Sequence, residues 1–374
     1  MSLALRLRQR GLKPVVIEHS PTLRDGGYML GLSDPGYDAA ERMGLAGALG
    51  AAQYMPRRIA HIGADGRVKF ALEGRSLDIL AGERQLNLMR GDIERILYER
   101  LRDDAEFHFG ASVATLDQAA DGVRVRLDDT MVIEADLAVG ADGLHSNLRA
   151  LAFGPEERFT RFLGARVAAF ILDRSAIPAV GEDETASLTE VGRAVGLAAI
   201  RGGRLVAFFI YRTGRERRFE TVEAELKYAF AGAGWHVPRL LDHAGVADSI
   251  YFDEVAQVVV PRWSHGRAAL LGDAAAAVSL IAGKGATLAI AAGLVLADAL
   301  ADQPADIPAA LARHEAKLRP MTEPAQAMAR RNVGLFAPSN RLQLFARDFG
   351  LRLAGLPTLA RFAKHFLNRE GERL

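Results

Sequence analysis

At 374 residues, with 49% hydrophobic and 25% charged side chains and 47 basic against 46 acidic groups, the chain has the composition of a folded protein of two domains or one large one. Disorder, collagen and coiled coil are excluded. A net charge of +1 exerts no long-range pull on nucleic acid, and zero cysteines remove disulfides, thiolate metal sites and cysteine catalysis.

In chain order, residues 2–10 read as a helix stopped by Gly11, and Pro14-Val-Val-Ile-Glu18 as a short buried strand. Asp25-Gly26-Gly27 marks a turn, residues 37–49 a helix, and residues 57–70 a hairpin around Asp65-Gly66. The spacing of Ile93, Ile96, Leu97 and Leu101 predicts an amphipathic helix over 88–101. Residues 107–116, 123–127 and 131–139 read as three strands, the last running into Gly140-Ala-Asp-Gly143. Strand-like runs fill 162–210, followed by helices over 220–231 and 237–243. A strand at Ala268-Ala-Leu-Leu271 leads to Gly272-Asp273, then to Gly283-Lys284-Gly285 and a long apolar helix, and the chain beyond Pro304 is helical. The run 286–297 is shorter than the ~20 residues that span a bilayer, and Arg6, Arg8 and Arg10 break up the N-terminal apolar segment. A soluble cytoplasmic protein without membrane insertion is expected. Residues 340–374, with seven basic and three acidic side chains, read as a solvated helix face.

Three places carry chemistry. Glu18, ending a strand after a helix, stands where a dinucleotide-binding βαβ unit puts the carboxylate that accepts from ribose hydroxyls. Small residues around Asp142 let backbone approach a bound group closely. Gly283-Lys284-Gly285 opens a helix whose N-terminal N–H groups can receive an anion or a carbonyl. With nine scattered histidines, no H-E-x-x-H and no G-x-S-x-G, metal and acyl-transfer chemistry have no support.

In sequence order these pieces resemble the class A flavoprotein monooxygenases of the para-hydroxybenzoate hydroxylase type. Arg90 in Leu88-Met-Arg-Gly-Asp-Ile matches the family's FAD-contacting arginine. Gly140-Ala-Asp-Gly143 followed by Leu-His-Ser-Asn-Leu-Arg149 matches its DG motif, and Leu271-Gly-Asp-Ala-Ala275 its GD motif. The resemblance implies an α/β fold: a Rossmann-like FAD-binding domain over 1–160 and 256–304, a sheet-containing substrate domain over 161–255, and C-terminal helices over 305–374. It implies FAD bound by Glu18, Arg90, Val113, Asp142, Asp273, Gly283, Lys284 and Gly285, NAD(P)H as reductant and a small organic substrate, with no catalytic base assigned. A homodimer stays open. A flavin-free member acting as a binding protein is the alternative.

The match departs at Ala276 and Leu280, where the family commonly has histidine and proline, and at Ala291 and Ala292, where it has an acidic pair. A larger departure is that the first strand and its G-x-G-x-x-G loop are missing ahead of Ser2, and each buried backbone group left unpaired would cost ~1–3 kcal/mol. The expectation is a native chain with further upstream residues. A longer form that purifies yellow beside a colourless 374-residue form supports this, and equal flavin content in both overturns it.

Overall fold

The computed structural model describes residues 1–23, 27–81, 84–178, 180–356 and 358–360. The turn expected at Asp25-Gly26 lies outside them, as do residues 361–374. The first helix, Ser2–Gln9, is followed by strand Val15–Glu18, which pairs in parallel with Glu106–Phe109. A second parallel pair joins Ala138–Gly140 to Ala268–Leu270, extended antiparallel by Ser264–His265. Among the described residues no strand joins the two pairs, so the Rossmann-like sheet stands in two pieces.

Several expected elements are divided. The single helix over 37–49 is two, Gly36–Arg42 and Ala46–Ala52. The strand over 107–116 is also two, Glu106–Phe109 and Val113–Gln118, because Gly110 takes a φ of +69° between them. Val113–Gln118 then forms an antiparallel meander with Val123–Leu127 and Val132–Ala135. The helix expected over 88–101 begins only at Arg90, since Leu86–Met89 is drawn out as a strand against Met29–Leu32. That pairing sets Arg90 at a helix N-terminus.

The largest sheet has seven strands in the order Tyr251–Val258, Thr160–Asp173, Arg204–Arg212, Arg193–Ile200, Glu184–Glu190, Arg58–Ile62 and Val68–Glu73. The 57–70 hairpin therefore extends this sheet, through the parallel pairing of Arg58 with Glu184. One face of the sheet is covered by helices Val222–Ala229 and Val237–Ala244, which bury Leu226, Val237 and Leu240 against Leu197, Leu205 and Phe209. A separate core forms where Ala4 and Leu5 meet Leu294 and Leu296 of the helix Gly285–Asp302. That helix is long and apolar enough to cross a membrane, yet it packs against Ser2–Gln9, Gly36–Arg42 and Ile307–Phe336, and Thr287, Leu294, Leu296 and Ala297 are fully buried. It is a core helix.

The last described helix, Arg341–Ala354, turns Leu342, Phe345 and Phe349 to solvent. Of the charged face expected over 340–374, the described part keeps Arg341 and Arg352 exposed, while Arg347 and Asp348 point inward.

The helix Gly285–Asp302 is held against the first part of the chain through Gly36, where a Cβ would lie 2.6 Å from both Cα and O of Thr287. Neither partner is a flexible side-chain end. Gly36→Ala should therefore cost about 1–3 kcal/mol, read as a lower urea midpoint at unchanged slope; an unchanged midpoint would show that the two backbones separate freely.

Candidate functional site

Two short turns bring Arg90 and Asp273 within electrostatic reach of one another. The first lies where Tyr28 enters strand Met29–Leu32 and Arg90 leaves its antiparallel partner Leu86–Met89: the backbone N–H of Arg90 donates to the carbonyl of Tyr28 at 3.2 Å, and a Cβ on Gly27 would come within 3.3 Å of the Arg90 Cβ. The second follows strand Ala268–Leu270, where Gly272 swings the chain into the short helix Asp273–Ala276. Asp273 keeps an exposed surface and lines a small cavity with Gly272, Ala276 and Gly285. Crowding by protein raises its carboxyl above the ordinary 3.8, Asp253 adds to the rise, and the Arg90 guanidinium opposes it. Arg90 and Asp273 are thereby electrostatic neighbours, although far apart in sequence.

The glycine turn closes on the same place. A Cβ on Gly285 would lie 3.6 Å from Asp273 Oδ1. Gly283 has a φ of +64°, and nothing stands within 4 Å of where its Cβ would be. Bare backbone thus faces open space, with the N-terminus of Gly285–Asp302 beside it. Lys284 precedes the helix as its N-cap residue. Ser279, just upstream, has a φ of +82° and a buried hydroxyl with no partner, a polar atom still to be satisfied.

Asp142 and Val113 sit next to this cluster and serve the turn itself. The Asp142 carboxylate accepts from the Ser146 hydroxyl and from Leu148 N at 3.0 Å, while the Val113 carbonyl accepts from Asn147 Nδ2 at 2.6 Å. Arg149 ties this turn to the Asp273 turn: its guanidinium donates to Leu144 O at 2.7 Å and to Ala274 O at 3.1 Å. Glu18 belongs to another neighbourhood. Its carboxylate accepts from Ser20 N at 2.8 Å, and together with Glu94, one turn along the helix from Arg90, it acts on the crowded Met1 ammonium. That ammonium is held below its ordinary 8.0, by burial first, with the two carboxylates opposing.

The sequence reading missed a polar chain beside the cleft. The rings of Tyr28 and Tyr251 lie 4.7 Å apart, Tyr251 donates to Asp253 Oδ2 at 3.2 Å, and His145 bridges Asp253 at 3.1 Å and Glu156 at 2.9 Å. Burial raises both tyrosines above 10. His145 sits within the DG turn and Asp253 on the edge strand of the large sheet, so this bridge fastens one unit to the other. Only His145 lay in a motif, and no spacing pairs it with Asp253.

The donor set fits a flavin cofactor at the end where Arg90, Asp273 and the bare turn meet. The family model described as FAD binding domain matches residues 1–306. A flavin-dependent monooxygenase of an unknown prokaryotic organism is 29% identical over 327 residues, 86% of this chain and 83% of that protein. Among solved structures, tetracycline destructase Tet(51) is similar at a TM-score of 0.84 and 22% identity, over 100% of this chain and 96% of that one. Klebsiella pneumoniae HpxO, complexed with FAD and uric acid, is similar at 0.77 and 24%, over 98% and 93%.

The His145 bridge gives a pH dependence. Its hydrogen bond to Asp253, and then Glu156, push the imidazole up from 6.5 to about 9 against the opposing effect of burial. The bridge therefore stabilises the fold in full below pH 6.5 and is lost as pH climbs through about 9. The urea midpoint of the wild type should fall over that window by more than that of His145→Gln; parallel profiles for the two would show the bridge to be energetically silent.

Proposed function

Since the chain belongs to the FAD-binding family of flavoprotein monooxygenases of the para-hydroxybenzoate hydroxylase type, we propose that it transfers one oxygen atom from dioxygen to a small aromatic or polyketide-like compound. NAD(P)H is oxidised in the same cycle, and the second oxygen atom leaves as water. Bound FAD supplies the redox chemistry that links reductant, oxygen and substrate. The chain's own part is to bind, orient and exclude water.

Arg90 and Asp273, whose charges interact, hold the cofactor, and the Gly283-Lys284-Gly285 turn receives the flavin ring edge on bare backbone. Glu18 accepts from ribose hydroxyls. Asp142 and Val113 act mainly by fixing the turn that carries Arg149. The cofactor unit then comprises residues 1–160 and 256–304, with the substrate unit over 161–255 extended by the hairpin that joins its sheet, and helices over 305–374. The setting is cytoplasmic.

The substrate lies on the sheet face opposite helices Val222–Ala229 and Val237–Ala244. There Ala194, Ala198 and Phe208 are half-buried around Gly196, and nothing stands within 4 Å of a Cβ built on that glycine. Toward one end of the strands a cleft of about 390 Å³ opens between Met29, Tyr54, Thr185 and Ile200, the size of a small-molecule site. The names of the similar proteins, a tetracycline destructase and a uric acid complex, support a small-molecule substrate. The family match and the meeting of Arg90 with Asp273 favour this reading over a flavin-free binding protein.

The observation that carries the proposal is the electrostatic proximity of Arg90 to Asp273 beside the turn that ends at Gly285. Hydrogen bonds to charged groups are worth about 1.5–3 kcal/mol. Asp273→Ala should accordingly weaken FAD affinity about 10- to 100-fold in a fluorescence titration, with the fold intact by circular dichroism. Wild-type-like affinity in both Asp273→Ala and Arg90→Ala would remove the basis of the assignment.

A further inference from the structure

The helix Arg341–Ala354 is built inside out. Toward the protein it carries ions: Arg347, with an 11% exposed side chain, donates to Asp348 Oδ1 at 2.6 Å, and Lys69 reaches Asp348 Oδ2 at 3.5 Å. Arg347 Nε also donates to the carbonyl of Leu335 at 2.7 Å. Toward solvent it carries Leu342, Phe345 and Phe349, which are 76%, 67% and 55% exposed. Their spacing of three and four residues puts them on one helix face, and Leu356, 51% exposed, continues the line. The two phenylalanine rings stack with centroids 6.1 Å apart. Leu335 and Phe336, at the end of the preceding helix, are 43% and 41% exposed. Contiguous exposed apolar surface of this kind marks an interaction site.

Charge decides what it meets. Residues 340–374 hold seven basic and three acidic side chains, whereas the whole chain carries only +1, so the remainder of the protein is net acidic. Arg341 is exposed and borders the apolar stripe; Arg352 is exposed on the same side, although its guanidinium also donates to the carbonyl of Lys69 at 2.9 Å. Two copies meeting through this face would bring two cationic segments together. An anionic lipid surface complements the charge and accepts the phenylalanines, as it does for basic amphipathic helices lying in the interface plane. We propose that the Arg341–Ala354 helix docks the protein peripherally on an anionic bilayer surface, with Phe345 and Phe349 at the boundary between headgroups and acyl chains. The docking needs no spanning segment and is independent of the reaction assigned above.

The test is co-sedimentation of the flavin-loaded full chain with phosphatidylcholine vesicles, with and without phosphatidylserine. Binding to the anionic vesicles should be about tenfold or more the stronger and should weaken with salt. The double variant Phe345→Ser/Phe349→Ser should lose about tenfold of it while keeping its flavin content and far-ultraviolet spectrum, and Phe345→Trp/Phe349→Trp should retain it. Equal or absent binding to the two vesicle types overturns the proposal. So does a wild-type dimer that the serine variant converts to monomer, which would give the face to a second copy. Binding that survives the serine substitutions but is lost from a chain ending at residue 360 also overturns it, since the attraction would then lie outside the helix.

Discussion

The guanidinium of Arg149 is the constraint on which the cofactor side of the molecule depends. It is fully buried, and its two terminal nitrogens donate to carbonyls in two different turns, those of Leu144 and Ala274. A buried charge is tolerated only when such partners are supplied, and here the partners are the backbones of the DG and GD turns. Glu156 approaches it at 3.7 Å, which brings the His145 bridge into the same network. Burial still holds the guanidinium below its ordinary value, and its Nε has no partner. The network is therefore tightly determined in geometry: a shift of either turn would leave more of the charge unsatisfied.

From this lock the rest of the site follows. Fixing the Ala274 carbonyl fixes Asp273 one residue earlier, at the start of its helix, and so its carboxylate within the field of Arg90. Arg90 is placed independently, by the pairing of Leu86–Met89 with Met29–Leu32. The His145–Asp253 contact carries the same restraint to the edge strand of the large sheet. Buried and ionic contacts of this kind hold polar groups in place before any ligand arrives.

The departures from the family pattern have a physical reading. Ala291 and Ala292 are 0% and 4% exposed within the core around the helix Gly285–Asp302. Carboxylates there would be buried among apolar neighbours, so alanine is the residue that this packing requires. Leu280 is half-buried against Ile281, Ala329 and Val333 in a small apolar cluster beneath the helix Ile307–Phe336.

Local sequence determined much of this protein. The helix Ser2–Gln9, the strand Val15–Glu18, the hairpin around Asp65-Gly66 and the helix Gly285–Asp302 follow from periodicity and turn residues, which act within a few positions of one another. Arg90, Asp273 and Gly283 stand out in the sequence as turn positions because small residues and single charges at turns leave a local mark. Tertiary structure decided the rest: that Leu86–Met89 is a strand, because its partner lies far upstream; that the 57–70 hairpin joins the large sheet; and that His145 meets Asp253. It also turned the last helix inside out, since which face of a helix is buried depends on what packs against it. Pairing between distant segments is fixed by burial and electrostatics acting across space, and these leave no spacing to read along the chain.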